Sequence, residues 1–269
     1  MSLKIIVLAK QIPDTRNVGP DAMTPEGTVN RAALPAVFNP EDLNALEQAL
    51  RLKDANPGST ITMLTMGLPK AAEVLKEGVY RGADDGVLIS DRPLGGADTL
   101  ATSYTLAQAI KKVGDYDIIL CGRQAIDGDT AQVGPQVAEK LGLTQITYTE
   151  EILSIDKEAK KIVAKRHIDG GVETVEGPLP IVVTVNGSAA PCRTRNVKLV
   201  WANKNREFPM WGAADIEADP MQIGKAGSPT NVKAVKSIVF KAKENKTLTS
   251  SDEDIDSLIK ELMESNTIG

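Results

Sequence analysis

The first 145 residues alternate short apolar runs with segments of helical period, and few architectures accommodate that rhythm. Strands are predicted at residues 4–9, 60–66, 86–90 and 117–121, each too short and too apolar for an exposed helix. The clearest helix starts at Asn39. Asn39 suits an N-cap and Pro40 the first helical position, Glu41 and Asp42 complement the positive end of the dipole, and Leu43, Leu46 and Leu50 share a face. Further helices are predicted over 69–81, 98–112 and 131–141. Strands alternating with helices imply right-handed crossovers and a parallel sheet covered on both faces. The predicted class is α/β: a doubly wound, mostly parallel Rossmann-like sheet.

Residues 11–38 interrupt the rhythm with Pro13, Gly19, Pro20, Pro25, Gly27 and Pro35. A loop of that length inside a compact domain is usually functional. Beyond residue 145 the texture changes. Runs at 161–166 and 172–175 flank Asp169-Gly170-Gly171, a β-hairpin signal, and 180–185 reads as a buried strand. Residues 186–235 look irregular, with scattered proline and glycine and both tryptophans. An amphipathic helix follows at 251–264, opened by Asp252, Glu253 and Asp254 and striped by Ile255, Leu258, Ile259 and Leu262. The organisation expected is an α/β domain over 1–190 and an irregular C-terminal arm, ending in a helix, over 191–269.

Composition narrows the chemistry. Lys and Arg total 31 against 36 Asp and Glu, a net charge of −5, and aromatics are 3%, so the basic stripe and stacking platform of a nucleic-acid binder are missing. A single histidine, His167, and two cysteines, Cys121 and Cys192, rule out a His- or Cys-ligated metal cluster and argue against a Ser-His-Asp engine. Redox or transfer chemistry in this chain would need a cofactor. The short apolar run before Lys10 reads as a first strand rather than a leader. No stretch approaches the ~18 apolar residues of a membrane span. Two unpatterned cysteines fit a reducing compartment, so a soluble cytoplasmic protein without membrane insertion is expected.

Ligands of doubly wound sheets bind beyond the carboxyl ends of the strands, where strand order reverses. Ala9-Lys10, Met66-Gly67 and Cys121-Gly122 are such ends. The last opens the segment Gly122-Arg123-Gln124-Ala125-Ile126-Asp127-Gly128-Asp129-Thr130-Ala131-Gln132-Val133-Gly134. Its glycines permit close backbone approach, a helix start offers amides to phosphate, Gln124, Thr130 and Gln132 are neutral donors, and Arg123 is a fixed charge. It is neither a P-loop nor a G-x-G-x-x-G fingerprint, and a plain strand–turn–helix connection stays open beside the phosphate reading. The run from Gly95 to Ser103 has similar character. Its plainer reading is an N-cap at Asp98 or Thr99, and a cofactor role requires both segments to meet at one ligand.

His167 reads as a strand-surface residue and Cys121 as core. Two neighbouring arginines would lower the pKa of Cys192, although an inert loop thiol is the simpler reading. Trp201 and Trp211 read as interface or core anchors.

At the glycine-rich loop the chain resembles the β subunit of electron-transfer flavoproteins, nearly end to end. The resemblance rests on Gly122 to Asp129, Asn39-Pro40, Val163-Ala164-Lys165-Arg166 followed by Glu173, and Pro178-Leu179-Pro180-Ile181-Val182-Val183-Thr184. Three runs are similar to the electron-bifurcating branch: 95–102, 128–134 and 224–230. In the housekeeping branch this site holds AMP as a structural ligand. In the bifurcating branch it holds a second FAD, which takes hydride from NADH. The resemblance implies that Ala9, Asn39, Met66 and the loop residues Gly122, Arg123, Gln124, Ala125, Gly128, Asp129, Thr130, Ala131, Gln132, Val133 and Gly134 surround the adenosine and diphosphate. It places Asp98, Thr99 and Thr102 near the flavin, with no catalytic side chain and no metal.

The partners implied are the α subunit, ferredoxin or flavodoxin, and a flavin-dependent dehydrogenase. After Val185 no leucine anchor occupies the family's partner-recognition position, so a hydroxy-acid enzyme stands beside an acyl-CoA one. The rival readings are a non-bifurcating β subunit holding AMP and a stand-alone adenine-nucleotide-binding module.

Overall fold

The central strand β1 (Lys4–Leu8) buries four successive apolar residues, because the sheet around it is covered on both faces. Its alternate side chains enter two different layers. Ile5 and Val7 meet Leu46, Leu50, Met63 and Leu75 on one side, while Ile6 and Leu8 meet Leu64, Leu106, Ile110 and Val137 on the other. Burying each such side chain contributes about 1.5–3 kcal/mol. The computed structural model describes residues 2–14, 35–230 and 246–268, so much of the long loop at 11–38 lies outside the described residues.

Along the chain, β1 is followed by a small antiparallel pair, β2 (Gln11–Pro13) and β3 (Ala36–Phe38), and then by α1 (Pro40–Ala55), β4 (Thr60–Met66), α2 (Ala72–Arg81) and β5 (Asp85–Ile89). Next come α3 (Thr99–Val113), β6 (Ile118–Gly122) and α4 (Val133–Leu141). The remaining strands of the first unit are β7 (Thr144–Asp156), β8 (Lys161–Ile168), β9 (Gly171–Pro178), β10 (Ile181–Val185) and β11 (Met210–Trp211), with α5 (Val197–Asn203) before the last. In the sheet the order is β11-β5-β4-β1-β6-β10-β7-β8-β9. Pairing is parallel from β11 through β7 and antiparallel from β7 to β9. The chain winds from β1 through β4 to β5, crosses over by α3, and resumes at β6 on the other flank of β1.

The structure differs from the sequence expectations at several places. Residues 69–71 form a 3-10 turn before α2. Helix α4 starts at Val133 rather than 131, because Asp129 and Ala131 hold left-handed backbone, with φ of 48° and 51°. The hairpin is longer than predicted and turns at Asp169-Gly170, with Ile168 opposite Gly171. Strand β7 escaped prediction since its burial does not alternate cleanly, and α5 and β11 occur within the stretch expected to be irregular.

The chain divides into two compact units, Met1–Lys233 and Ala234–Gly269. In the first, residues 186–196 are bolted to α1 and α2. Asn44 Nδ2 donates to the carbonyls of Ala189 and Ala190, the Arg193 side chain reaches Glu47 and Asp54, and Asn196 N donates to Tyr80 O. The second contains α6 (Asp252–Glu264), capped by Ser251, with Ile255, Leu258, Ile259 and Met263 exposed. No helix among the described residues is long and apolar enough to cross a membrane.

Candidate functional site

The reversal of winding leaves the carboxyl ends of β1, β4, β5 and β6 side by side, and a cleft of about 840 Å³ opens over them. That size falls within the ordinary range for small-molecule sites, roughly 300–1,000 Å³. Both glycine-rich segments reach it. Of the site residues named from the sequence, all but Asn39 and Asp129 line this cleft.

The loop after β6 is shaped by α1. Asn39, fully buried, does not cap its helix; its side chain donates to Gln124 O at 2.8 Å and accepts from Ile126 N at 3.2 Å. Glu41 accepts from Gln124 N at 3.0 Å and pairs with Arg123 at 2.8 Å. The Arg123 guanidinium also stands 5.4 Å from the Tyr148 ring, so its charge is already engaged. Asp42 accepts from Gly122 N and from Lys10 N, each at 2.8 Å. Lys10 Nζ in turn holds both carboxylate oxygens of Asp127, at 2.8 and 2.9 Å. Exposed Asp129 accepts from the Gln124 side chain at 2.7 Å.

The first turn of α4 borders the cleft at Val133 and Gly134, and no side chain caps it. An uncapped helix start leaves amides for an anion. Gly134 lets that helix close on the sheet, since a Cβ there would lie 2.6 Å from Thr184 Cγ2. Gly122 is tighter still: its Cβ would meet Asp42 Oδ1 at 2.6 Å and the backbone of residues 41 and 42 at 2.8 Å. Gly128 differs, for a Cβ there would meet nothing within 4 Å.

Asp98 Oδ1 caps α3 by accepting from Leu100 N and Ala101 N, as the plainer sequence reading has it. The residue does more than that. Its amide donates to Ser228 Oγ and its Oδ2 accepts from Thr230 N, tying the 224–230 run to the cleft wall. Burial raises the Asp98 pKa, but these backbone bonds outweigh it and hold the carboxyl below its usual range. Thr99 Oγ1 donates to Gln132 Oε1 at 2.8 Å, which joins the two segments directly.

Sequence reasoning missed Asp42, Arg92, Leu94 and Met210 as lining residues. The strand-end rule, applied also to β5, would have found Arg92. Nothing local pointed to Asp42, whose dipole role explained it sufficiently.

Elsewhere, His167 is half-exposed on β8 with Nδ1 3.4 Å from Glu150. Cys121 is buried at the cleft floor, and burial and the Asp42 charge both raise its pKa. Cys192 corrects the expectation of a lowered pKa: burial outweighs Arg81 and Arg193 and pushes it up to about 11. Trp211 packs beside the second layer, while Trp201 is exposed on α5.

Comparison with known proteins agrees with this architecture. The model of the electron transfer flavoprotein domain matches residues 26–207. The chain is 47% identical over 239 residues to the electron transfer flavoprotein subunit beta of Megasphaera elsdenii, covering 87% of each. It is 44% identical to the caffeyl-CoA reductase-Etf complex subunit CarD of Acetobacterium woodii, covering 86% of each. It is 40% identical to protein FixA of Sinorhizobium fredii, covering 87% of this chain and 82% of that one. With its sheet, its cleft and these relatives taken together, the chain belongs to the electron transfer flavoprotein family, among the β subunits.

Proposed function

We propose that this chain is the β subunit of a heterodimeric electron-transfer flavoprotein whose cleft holds FAD, and that it works in the electron-bifurcating manner. One observation carries the choice of FAD over AMP: the cleft lining combines two chemically different sets of groups. Gln124, Thr130, Gln132 and the uncapped start of α4 offer neutral donors suited to a diphosphate. Leu64, Met66, Ile89, Leu94 and Leu106 add apolar surface suited to ring systems. A mononucleotide would leave much of a cleft of about 840 Å³ unfilled. Bound there, FAD would take hydride from NADH and pass its electrons on singly, one to the α-subunit FAD and a partner dehydrogenase, the other to ferredoxin or flavodoxin.

The chain's own residues bind and orient. Asn39 and Glu41 brace the loop from beneath, Thr99 and Gln132 join its two walls, and the left-handed backbone at Asp129 and Ala131 shapes the turn into α4. A relative 43% identical, from Anaerotignum propionicum, is named an acryloyl-CoA reductase electron transfer subunit. That name and the caffeyl-CoA reductase one favour a CoA-thioester enzyme over a hydroxy-acid enzyme as the terminal partner. We place the complex in the cytoplasm and give the C-terminal segment, 191–269, the role of wrapping the α subunit.

Nucleotide extraction from the purified heterodimer tests the reading. Two FAD per αβ pair and no AMP is the expected result; one FAD with one AMP overturns bifurcation, and a colourless monomer that binds ATP overturns both flavoprotein forms. Gly128→Val adds a residue-level check. The new side chain enters open space in the protein, so stability should change by less than ~0.5 kcal/mol while FAD is lost from the cleft.

A further inference from the structure

Asp42 stands in the first turn of α1 and is only 6% exposed, and its carboxylate bonds backbone outside its own helix. Its Oδ2 accepts from Lys10 N, just past β1, and its Oδ1 from Gly122 N, the last residue of β6. These neighbouring strands are where the winding reverses, so one carboxylate pins both strand ends beneath the cleft. Among the described residues no cation pairs with it. Lys10 Nζ is taken by Asp127, and the Arg123 guanidinium by Glu41. The other groups around it are the neutral Asn39 amide, the Cys121 thiol and the Glu41 carboxylate.

We propose that Asp42 is the positioning residue of the cleft floor and that an anionic nucleotide entering the cleft drives a proton onto it. The inference rests on the nucleotide reading above. A phosphate-bearing ligand brings negative charge toward a buried carboxylate with no counter-ion, and protonation relieves the repulsion. Burial already pushes Asp42 from 3.8 up to about 7; the bonds from Lys10, Gly122 and Asn39 pull it down, and Glu41 raises it further. The proton comes from solvent, and the only bond formed is O–H. A neutral carboxyl holds one of the two amides less well than the carboxylate did, so occupancy of the cleft is linked to the hold on a strand end. By linkage, FAD binds more tightly as pH falls through neutrality.

Calorimetric titration of FAD into the full chain, stripped of nucleotide, tests this in buffers of different ionisation enthalpy. The heat difference between buffers counts protons. The wild-type chain should take up roughly 0.3–0.5 of a proton per FAD near neutrality and almost none about two pH units either side, with affinity falling roughly two- to threefold per pH unit at neutrality. Asp42→Asn should take up none at any pH, whatever its affinity. Should that variant not fold, the infrared difference spectrum of the wild-type chain on FAD binding, with and without isotope-labelled aspartate, should show a protonated carboxyl appearing. Uptake retained in Asp42→Asn, or no carboxyl band, overturns the inference. FAD that binds without proton uptake overturns it alone, whereas failure of FAD to bind overturns the nucleotide reading as well.

Discussion

Helices α1 and α6 open with the same local signature, carboxylates in the first turn, and the tertiary structure uses them in opposite ways. In α6, Ser251 Oγ accepts from Asp254 N, while Asp254 accepts from Thr249 N at 2.8 Å; Ser251 is exposed and Asp254 only partly covered. The Thr249 hydroxyl and amide hold the Asp254 carboxyl below its ordinary range. In α1, Glu41 and Asp42 are buried and bond to chain 80 or more residues away. Glu47, further along the same helix, is buried too but has cations beside it. Burial raises its pKa, but Arg193 and Arg51 pull it lower overall. The same residue type therefore titrates low when exposed or paired and near neutrality when buried without a cation. Desolvation decides, and it is set by the neighbours rather than by the helix.

The harshest way to break this contrast is Gly122→Ala. The added Cβ would strike Asp42 and the α1 backbone, and should cost roughly 2–4 kcal/mol in urea unfolding, with loss of nucleotide. A comparable effect should appear as pH dependence. Asp42 is raised in the fold from 3.8 to about 7, so between those values the folded chain holds a proton that the unfolded chain has released. That stability is complete below about pH 4 and is lost as pH rises through about 7, on the order of 2–4 kcal/mol. Asp42→Asn should flatten the slope; an unchanged slope would assign it to other groups.

Arg193→Ala sharpens the paired case by removing the partner of a buried Glu47. Stability should fall by about 1–2 kcal/mol. Because Glu47 is held below its ordinary value, the stability that it contributes is present above that value and is lost on acidification; without Arg193 the carboxyl is no longer held so low, so the variant should lose less stability than the parent as pH falls through the carboxylate range. Proteolysis between residues 186 and 196 should quicken in parallel. The smallest effect belongs to Ser251→Ala: at most about 1 kcal/mol, seen as faster amide exchange within α6 and nowhere in the first unit.

Much of the fold was legible in the chain itself. The runs Ile5-Ile6-Val7-Leu8 and Val182-Val183 are apolar on both faces, which only a covered parallel strand satisfies. The Asp169-Gly170 turn identified its hairpin. Boundaries failed where backbone took unusual angles, as at Ala131, and β7 was hidden because its side chains do not alternate cleanly. The site was legible as two glycine-rich segments but not as one cleft. That required strand order, which brings β6 beside β1 across four intervening strands of sequence.

The amino-acid sequence by itself determined the alternation of strand and helix, the hairpin, the glycines that line the cleft and the family resemblance, because each depends on short-range periodicity or on contiguous motifs. Tertiary structure alone decided that Asn39 and Glu41 brace a distant loop, that Arg123 is neutralised, and that Asp42 lies buried beneath the cleft without a counter-ion. The physical reason is that a side chain's partners and its exposure to water are properties of the packed elements around it, and nothing in the residues on either side of Asp42 specifies them.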